Sequence, residues 1–393
     1  MTGFLYRQLA KASEQNMIIP GQNVSLKVDL LLAHDGSGAE ILSKFQEQGR
    51  NINGCSRILF TIDHSFPAPT IDDRELHREL SVFARHHSIH LYKNGEGVLH
   101  QVVAEEESLW PGMIIVGADG HVATAGAFGA IAFAVSPELF VDTICAGCYQ
   151  TTIPEQVVIS IDGNLKPEVK ARDVAMHILH HYGNELRDKA VLLTGNTIDQ
   201  FTISEKMSVC NFLPEGAVRT AVVLPQGEQQ KIDIHIFSRE IRPMLAVPGN
   251  ALTFAHPEAF SSEKISVAIA GGCSSGRLDD MRTIAGILAK NEVHPDVTFI
   301  IAPASRNVME SMDKLNLSSI LRNAGAVIMP PGCGPCPGKH FGVLCESDIA
   351  ITTTIRSNPG RIGAEGAKIY LASPLTVALS AINGRITEPY EVF

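Results

Sequence analysis

The sequence predicts an α/β protein of three domains built on mostly parallel sheets. Short apolar, β-branched runs alternate with amphipathic stretches of helical period, most regularly after residue 260. The 393 residues allow two or three domains at about 150 residues each. A hydrophobic content of 45% supports a substantial core.

The first domain, residues 1–153, mixes strands and helices. Residues 24–32 (VSLKVDLLL) and 57–62 (RILFTI) read as strands, being short and apolar or β-branched. Residues 72–86 read as a helix with Leu76, Leu80 and Phe83 on one face. Residues 113–116 (MIIV) form another buried strand. Residues 126–135, rich in Gly and Ala, are expected to form a helix that packs closely on a neighbour. The second domain, 154–260, opens on VVISIDGNLKP, an edge-like strand before a Gly turn, and continues with a helix over 171–182. Pro243, Pro248 and Pro257 crowd its end and place the boundary near 260. In the third domain, 261–393, strands over 265–270, 297–302, 326–329 and 348–354 alternate with helices over 278–290, up to 323, and 374–382. That order predicts βαβ units.

The net charge is −10 and no Lys/Arg-rich run occurs, which excludes nucleic acid as a partner. The N-terminus lacks a basic start before an apolar core, so no signal peptide is expected. The long uncharged run 122–137 is shorter than the ~18–20 residues of a membrane span. A cytoplasmic protein with reduced thiols and no membrane partner is the expectation.

Eight cysteines occur. Cys273 follows the strand at 265–270, and Cys333 and Cys336 follow the strand at 326–329. Ligands bind at the carboxyl ends of strands in open parallel sheets, so the three sulfurs should converge on one sheet edge. Three readings are open. Buried core cysteines are common, but these are flanked by Gly and Pro. A CGPC dithiol needs a thiolate at a helix N-terminus, and Pro337–Gly338 open a helix poorly. Three thiolates holding a [4Fe–4S] cluster would leave one iron not bound by cysteine, free to act as a Lewis acid. Cys345 lies in a different loop context, and Cys145 and Cys148 read as core.

At these residues the chain resembles the aconitase family. GGCSSGRLDDMR is similar to its first cluster segment and CGPCPG to its second. IRSNPGR and ASPLTVALSAINGRI resemble two later segments. VDLLLAHDGSG, TIDHSFPAP, GVLHQVVAEE, PGMIIVGADGHVATAGAFGA and CNFLPEGA follow in family order. The resemblance implies an aconitase-like fold, with three α/β domains around a central cluster site. It implies Cys273, Cys333 and Cys336 as cluster ligands. It also implies three carboxylate–histidine pairs at the substrate: Asp63–His64, His100 with Asp119, and His121 with Glu215. His64 would be the acid that lets hydroxyl leave as water. Arg356 and Arg361 would bind substrate carboxylates. His34 occupies a substrate-contact position, and Asn211 a position near the cluster.

The resemblance is to the large chain of the two-chain members, 3-isopropylmalate dehydratase and homoaconitase, which lacks the swivel domain. It implies a hydro-lyase acting on a malate-type 2-hydroxy acid, completed by a small swivel-domain subunit. The pattern departs from the family at Gly120, Ser275 and Ile355, where Ser, Asn and Asn are usual. A non-catalytic homologue and a thiol–disulfide oxidoreductase using CGPC are the alternatives.

Overall fold

The computed structural model describes residues 3–49, 51–52, 57–249 and 252–391. Cys55 lies outside the described residues. Three largely parallel sheets organise the chain.

The first sheet is wholly parallel, in the order His90–Leu91, Arg57–Thr61, Leu30–His34, Ile114–Gly117, Ile131–Ala134. Its central strand is buried at every residue, as expected with helices on both faces. The strand expected over 24–32 divides in two. Asn23–Lys27 alternates between exposed and buried residues and pairs antiparallel with Cys148–Thr152, outside the sheet. The helix Ile71–His86 starts at a Thr70 cap that accepts from the Asp73 amide, with Asp72 and Asp73 in its first turn. Its buried side chains are His77, Leu80 and Ala84. Leu76 and Phe83 pack against the same core as Leu80, as expected, and His77 turns inward toward Asp35 beside them.

The Gly/Ala-rich stretch corrects another expectation. It forms a short 3-10 helix, Val122–Phe128, and then the strand Ile131–Ala134. Gly129, at φ 78°, ends the helix in a left-handed turn that opens the strand. Close packing is nonetheless what the small residues serve. A Cβ on Gly126 would lie 1.8 Å from the Ala221 carbonyl oxygen.

The second sheet is also parallel, in the order Thr220–Val223, Ala190–Thr194, Gln156–Asp162, Ile234–Phe237. Gln156–Asp162 therefore lies inside the sheet and not at its edge. Its five buried central residues agree with that position. The third sheet runs Phe254–Ala255, Leu245–Ala246, Lys368–Leu371, Ile349–Thr352, Val267–Gly271, Thr298–Ala302, Val327–Ile328. Its last five strands are parallel and its first two antiparallel. The expected boundary at 260 falls within this sheet's share of the chain, since two of its strands precede it. The helical stretch before 323 is two helices, Arg306–Lys314 and Leu317–Asn323, broken at left-handed Asn316. No helix among the described residues is long and apolar enough to cross a membrane.

Two glycines test this packing. Gly126→Ala should cost about 2 kcal/mol or more, since overpacking there meets backbone. Gly286, exposed on the helix Leu278–Leu288 with nothing within 4 Å of a built Cβ, should gain about 0.5–1 kcal/mol as alanine. Urea denaturation of the two variants should show these opposite signs.

Candidate active site

Every parallel strand of the first sheet ends on the same edge, and that edge carries the histidines and carboxylates. His34 is the last residue of Leu30–His34. Asp63 and His64 follow Arg57–Thr61, and Asp119 and His121 follow Ile114–Gly117. His100 lies in the first turn of the helix Leu99–Glu106.

These side chains meet in pairs. Asp63 Oδ1 is 2.6 Å from His64 Nδ1, and Asp63 Oδ2 accepts the Leu99 amide at 2.7 Å. Asp119 bridges two histidines, His100 Nε2 at 2.7 Å on Oδ1 and His34 Nε2 at 2.8 Å on Oδ2. Its Oδ1 also accepts the His121 amide. His121 Nε2 is 2.8 Å from Glu215 Oε1, and Arg356 Nε donates to both Glu215 oxygens at 3.2 and 3.1 Å. The His34 and His64 rings stack at 4.1 Å.

Burial opposes the charge on His64, but Asp63, Asp35 and Asp119 outweigh it and raise its pKa to about 9. His64 is therefore protonated at neutral pH. Burial likewise opposes the charge on Asp119, yet His100 and His34 hold that carboxyl well below the usual range. For Glu215, too, burial is outweighed, here by His121 and Arg356, and the pKa falls.

The third sheet supplies the sulfurs. Cys273 follows Val267–Gly271, and Cys333 and Cys336 lie in the turns beyond Val327–Ile328, on the same edge. Gly271 permits the turn toward Cys273: its φ is 138°, and a Cβ there would lie 2.0 Å from the Ala302 carbonyl oxygen. Backbone joins the two sheets here, because the Cys333 amide donates to the Asp63 carbonyl at 3.0 Å.

One cavity of ≈ 270 Å³ is lined by Cys273, Cys333 and Cys336 together with Asp63, His64, His100, Asp119 and His121. His34, Arg356 and Arg361 also line it. Glu215 reaches it only through His121 and Arg356. Asn211 does not line it. That side chain is fully buried behind Cys273, donates to Thr124 at 2.9 Å and leaves Oδ1 without a partner.

The chemistry of the three sulfurs suits a metal. Burial pushes the Cys273 thiol up to about 12, with the charge of Cys336 adding to the effect, and holds Cys333 well above its ordinary value. Buried thiols of this kind become thiolates when a cation compensates their charge. A thioredoxin-like dithiol needs the opposite shift and a following helix. Residues 331–343 are turns and bends with no helix.

Three residues that the sequence reading passed over belong here. Asp35, 4% exposed, accepts the amides of Asp63, His64 and Ser65, each at 3.0 Å. His77 Nε2 lies 3.4 Å from its Oδ2. Lys339 lines the cavity mouth. The available signal for Asp35 was its position directly after a buried parallel strand. His77 gave none, because its pairing depends on how two helices cross.

Asp35 allows a test. Burial opposes its charge, but His77, His64 and the amides hold its carboxyl well below the usual range. A depressed folded pKa contributes stability that is present above the unfolded value, about 3.9, and is lost as pH falls. Asp35→Asn should cost about 2–4 kcal/mol at pH 7. The difference from wild type should narrow as pH falls below about 4, measured by denaturant unfolding across that range.

The pattern of the aconitase family (aconitate hydratase) matches residues 7–235 and 236–384. The chain is 32% identical to the 3-isopropylmalate dehydratase large subunit 2 of Methanopyrus kandleri, over 95% of each chain. It is 34% identical to the large subunit 2 of that enzyme from Pyrococcus furiosus, over 94% of this chain and 96% of the other. A probable methanogen homoaconitase large subunit of Methanothermobacter thermautotrophicus is 31% identical, over 98% and 96%. The fold is similar to that of Thermococcus kodakaraensis aconitase X, with a TM-score of 0.54, 14% identity and coverage of 90% and 89%. With its pattern matched across nearly the whole length and such relatives above 30% identity, the chain belongs to the aconitase family.

Proposed function

We propose that this chain is the cluster-bearing large subunit of a two-chain hydro-lyase. It would dehydrate and rehydrate a malate-type 2-hydroxy acid of the 3-isopropylmalate or homoaconitate kind. The observation that carries the proposal is the single cavity shared by three cysteines and by histidines held on carboxylates. The names of the relatives support the reaction class and the need for a small subunit.

Cys273, Cys333 and Cys336 fit a [4Fe–4S] cluster by donor type, burial and shared cavity. Bound there, a cluster with one iron free of cysteine supplies a Lewis acid for the substrate hydroxyl and a carboxylate. The chain's own residues do the rest. Asp63 fixes His64 through Nδ1, so the proton on Nε2 is the one available to the cavity. His64 gives that proton to the departing hydroxyl, which leaves as water, and takes it back on hydration. Arg361 and Arg356 bind substrate carboxylates. The free edge of Arg356 borders Gly120, where a Cβ would lie 3.2 Å from Nη2, so the glycine leaves room for the ligand.

The remaining need is a base for the carbon-bound proton. His34 and His100 are bound to Asp119, and His121 to Glu215. We assign the base to the small subunit, which would also close the cavity from water.

The purified iron-loaded chain alone should not turn over a panel of substituted malates, and adding the small subunit should restore activity. Robust turnover by the chain alone, free of a second polypeptide by mass spectrometry, contradicts the reading. In the reconstituted pair, His64→Ala should lower kcat by roughly 10²–10⁴-fold at unchanged iron content. Full activity of that variant removes His64 from the mechanism.

A further inference from the structure

Two arginines are fully buried beneath the cysteine loops. Arg172 is 1% exposed and Arg277 is 2% exposed. Arg172 donates to the carbonyls of Thr353 and Thr354, at the end of the strand Ile349–Thr352, and its guanidinium lies 4.7 Å from the centre of the Phe212 ring. Arg277 donates to the carbonyls of Cys273 and Ser274, and so holds the loop that carries the first sulfur. Ser274 in turn donates to Thr353, which joins the two arginine sites through one short backbone path.

Burying a guanidinium costs several kcal/mol unless an anion compensates it. Neither arginine forms an ion pair with a carboxylate among the described residues, and the Nε of each has no partner. The nearest acids are otherwise engaged. Asp173 accepts the amides of Lys170 and Met244, and Asp280 accepts the amide of Arg277. Burial also raises both acids toward their neutral forms, Asp173 to about 7 and Asp280 to about 6. Burial lowers Arg172 to about 10, so it stays charged at neutral pH; Asp173 is the largest charge supporting it, and the sulfurs of Cys273 and Cys336 add to that support once they are thiolates.

We propose that Arg172 and Arg277 are positioning residues that supply the fixed positive counter-charge for the three-thiolate cluster site and thereby raise its reduction potential. The argument rests on the reading of Cys273, Cys333 and Cys336 as cluster ligands. A cluster with three thiolates carries net negative charge, and one-electron reduction adds another. In a low-dielectric site, two nearby cations favour the more negative, reduced state. They also favour the thiolate form that ligation needs. Main-chain carbonyls alone would not call for a cation, since a neutral donor serves them.

The test is a redox titration of the anaerobically prepared, iron-loaded chain, followed by electron paramagnetic resonance. Arg172→Gln and Arg277→Gln keep a donor for the carbonyls and lose the charge. Each should lower the ratio of reduced to oxidised cluster at a fixed potential by at least about tenfold, or about 59 mV for one electron. Arg172→Lys and Arg277→Lys keep the charge and lose the two-carbonyl fork, and their potentials should match wild type. Iron-loaded glutamine variants with an unshifted potential overturn the proposal. If the glutamine variants do not fold, the lysine variants decide it: a tenfold fall in their ratio assigns the effect to the fork and overturns the charge argument. Wild-type chain that takes up no iron would instead defeat the cluster reading itself.

Discussion

The carboxylate of Asp35 ties the site together. It lies just past the carboxyl end of the central strand of the first sheet and accepts three successive amides from the loop after the neighbouring strand. That loop holds Asp63 and His64. The Asp63 carbonyl then accepts the Cys333 amide from the third sheet. One buried anion therefore fixes the acid pair, and one further hydrogen bond carries that register to a cysteine. Three amide donors compensate a carboxylate almost as fully as an ion pair does, without the side-chain entropy of a long cation.

The same logic of compensated burial runs through the cavity. Each carboxylate near it serves at least one histidine, and Asp119 serves two. The consequence is a set of histidines whose ring positions are held by geometry instead of by solvent. His64 keeps a proton at neutral pH because burial loses to three nearby carboxylates. The sulfurs show the reverse balance. Without a cation Cys273 and Cys333 are held as thiols, so the site is complete only when positive charge is present. Arg172 and Arg277 place part of that charge beneath the loops.

Much of this was legible in the sequence because parallel sheets impose it. Strands read from apolar runs fix where their carboxyl ends fall, and the cysteines and histidines follow those ends directly. The pairings His100–Asp119 and His121–Glu215 came with the family resemblance, since no spacing in the chain predicts contacts across 94 residues. Local pattern failed where tertiary context decides. The run at 126–135 has helical composition, yet Gly129 and a free sheet edge make its second half a strand. Gln156–Asp162 looked like an edge, yet it is covered on both sides by parallel partners. Leu245–Ala246 and Phe254–Ala255 are too short to read as strands, and so the third sheet begins earlier than the prolines indicate. Arg172 and Arg277 read as ordinary helix-start residues, because burial of a charge leaves no mark in composition.

The account depends most on three thiolates leaving one iron without a cysteine. Metal analysis and electron paramagnetic resonance of protein purified without oxygen test this directly. The account predicts about four irons per chain, with air exposure releasing one and giving the three-iron signal. Protein that carries zinc alone, or a reversible Cys333–Cys336 disulfide with no iron, would contradict it.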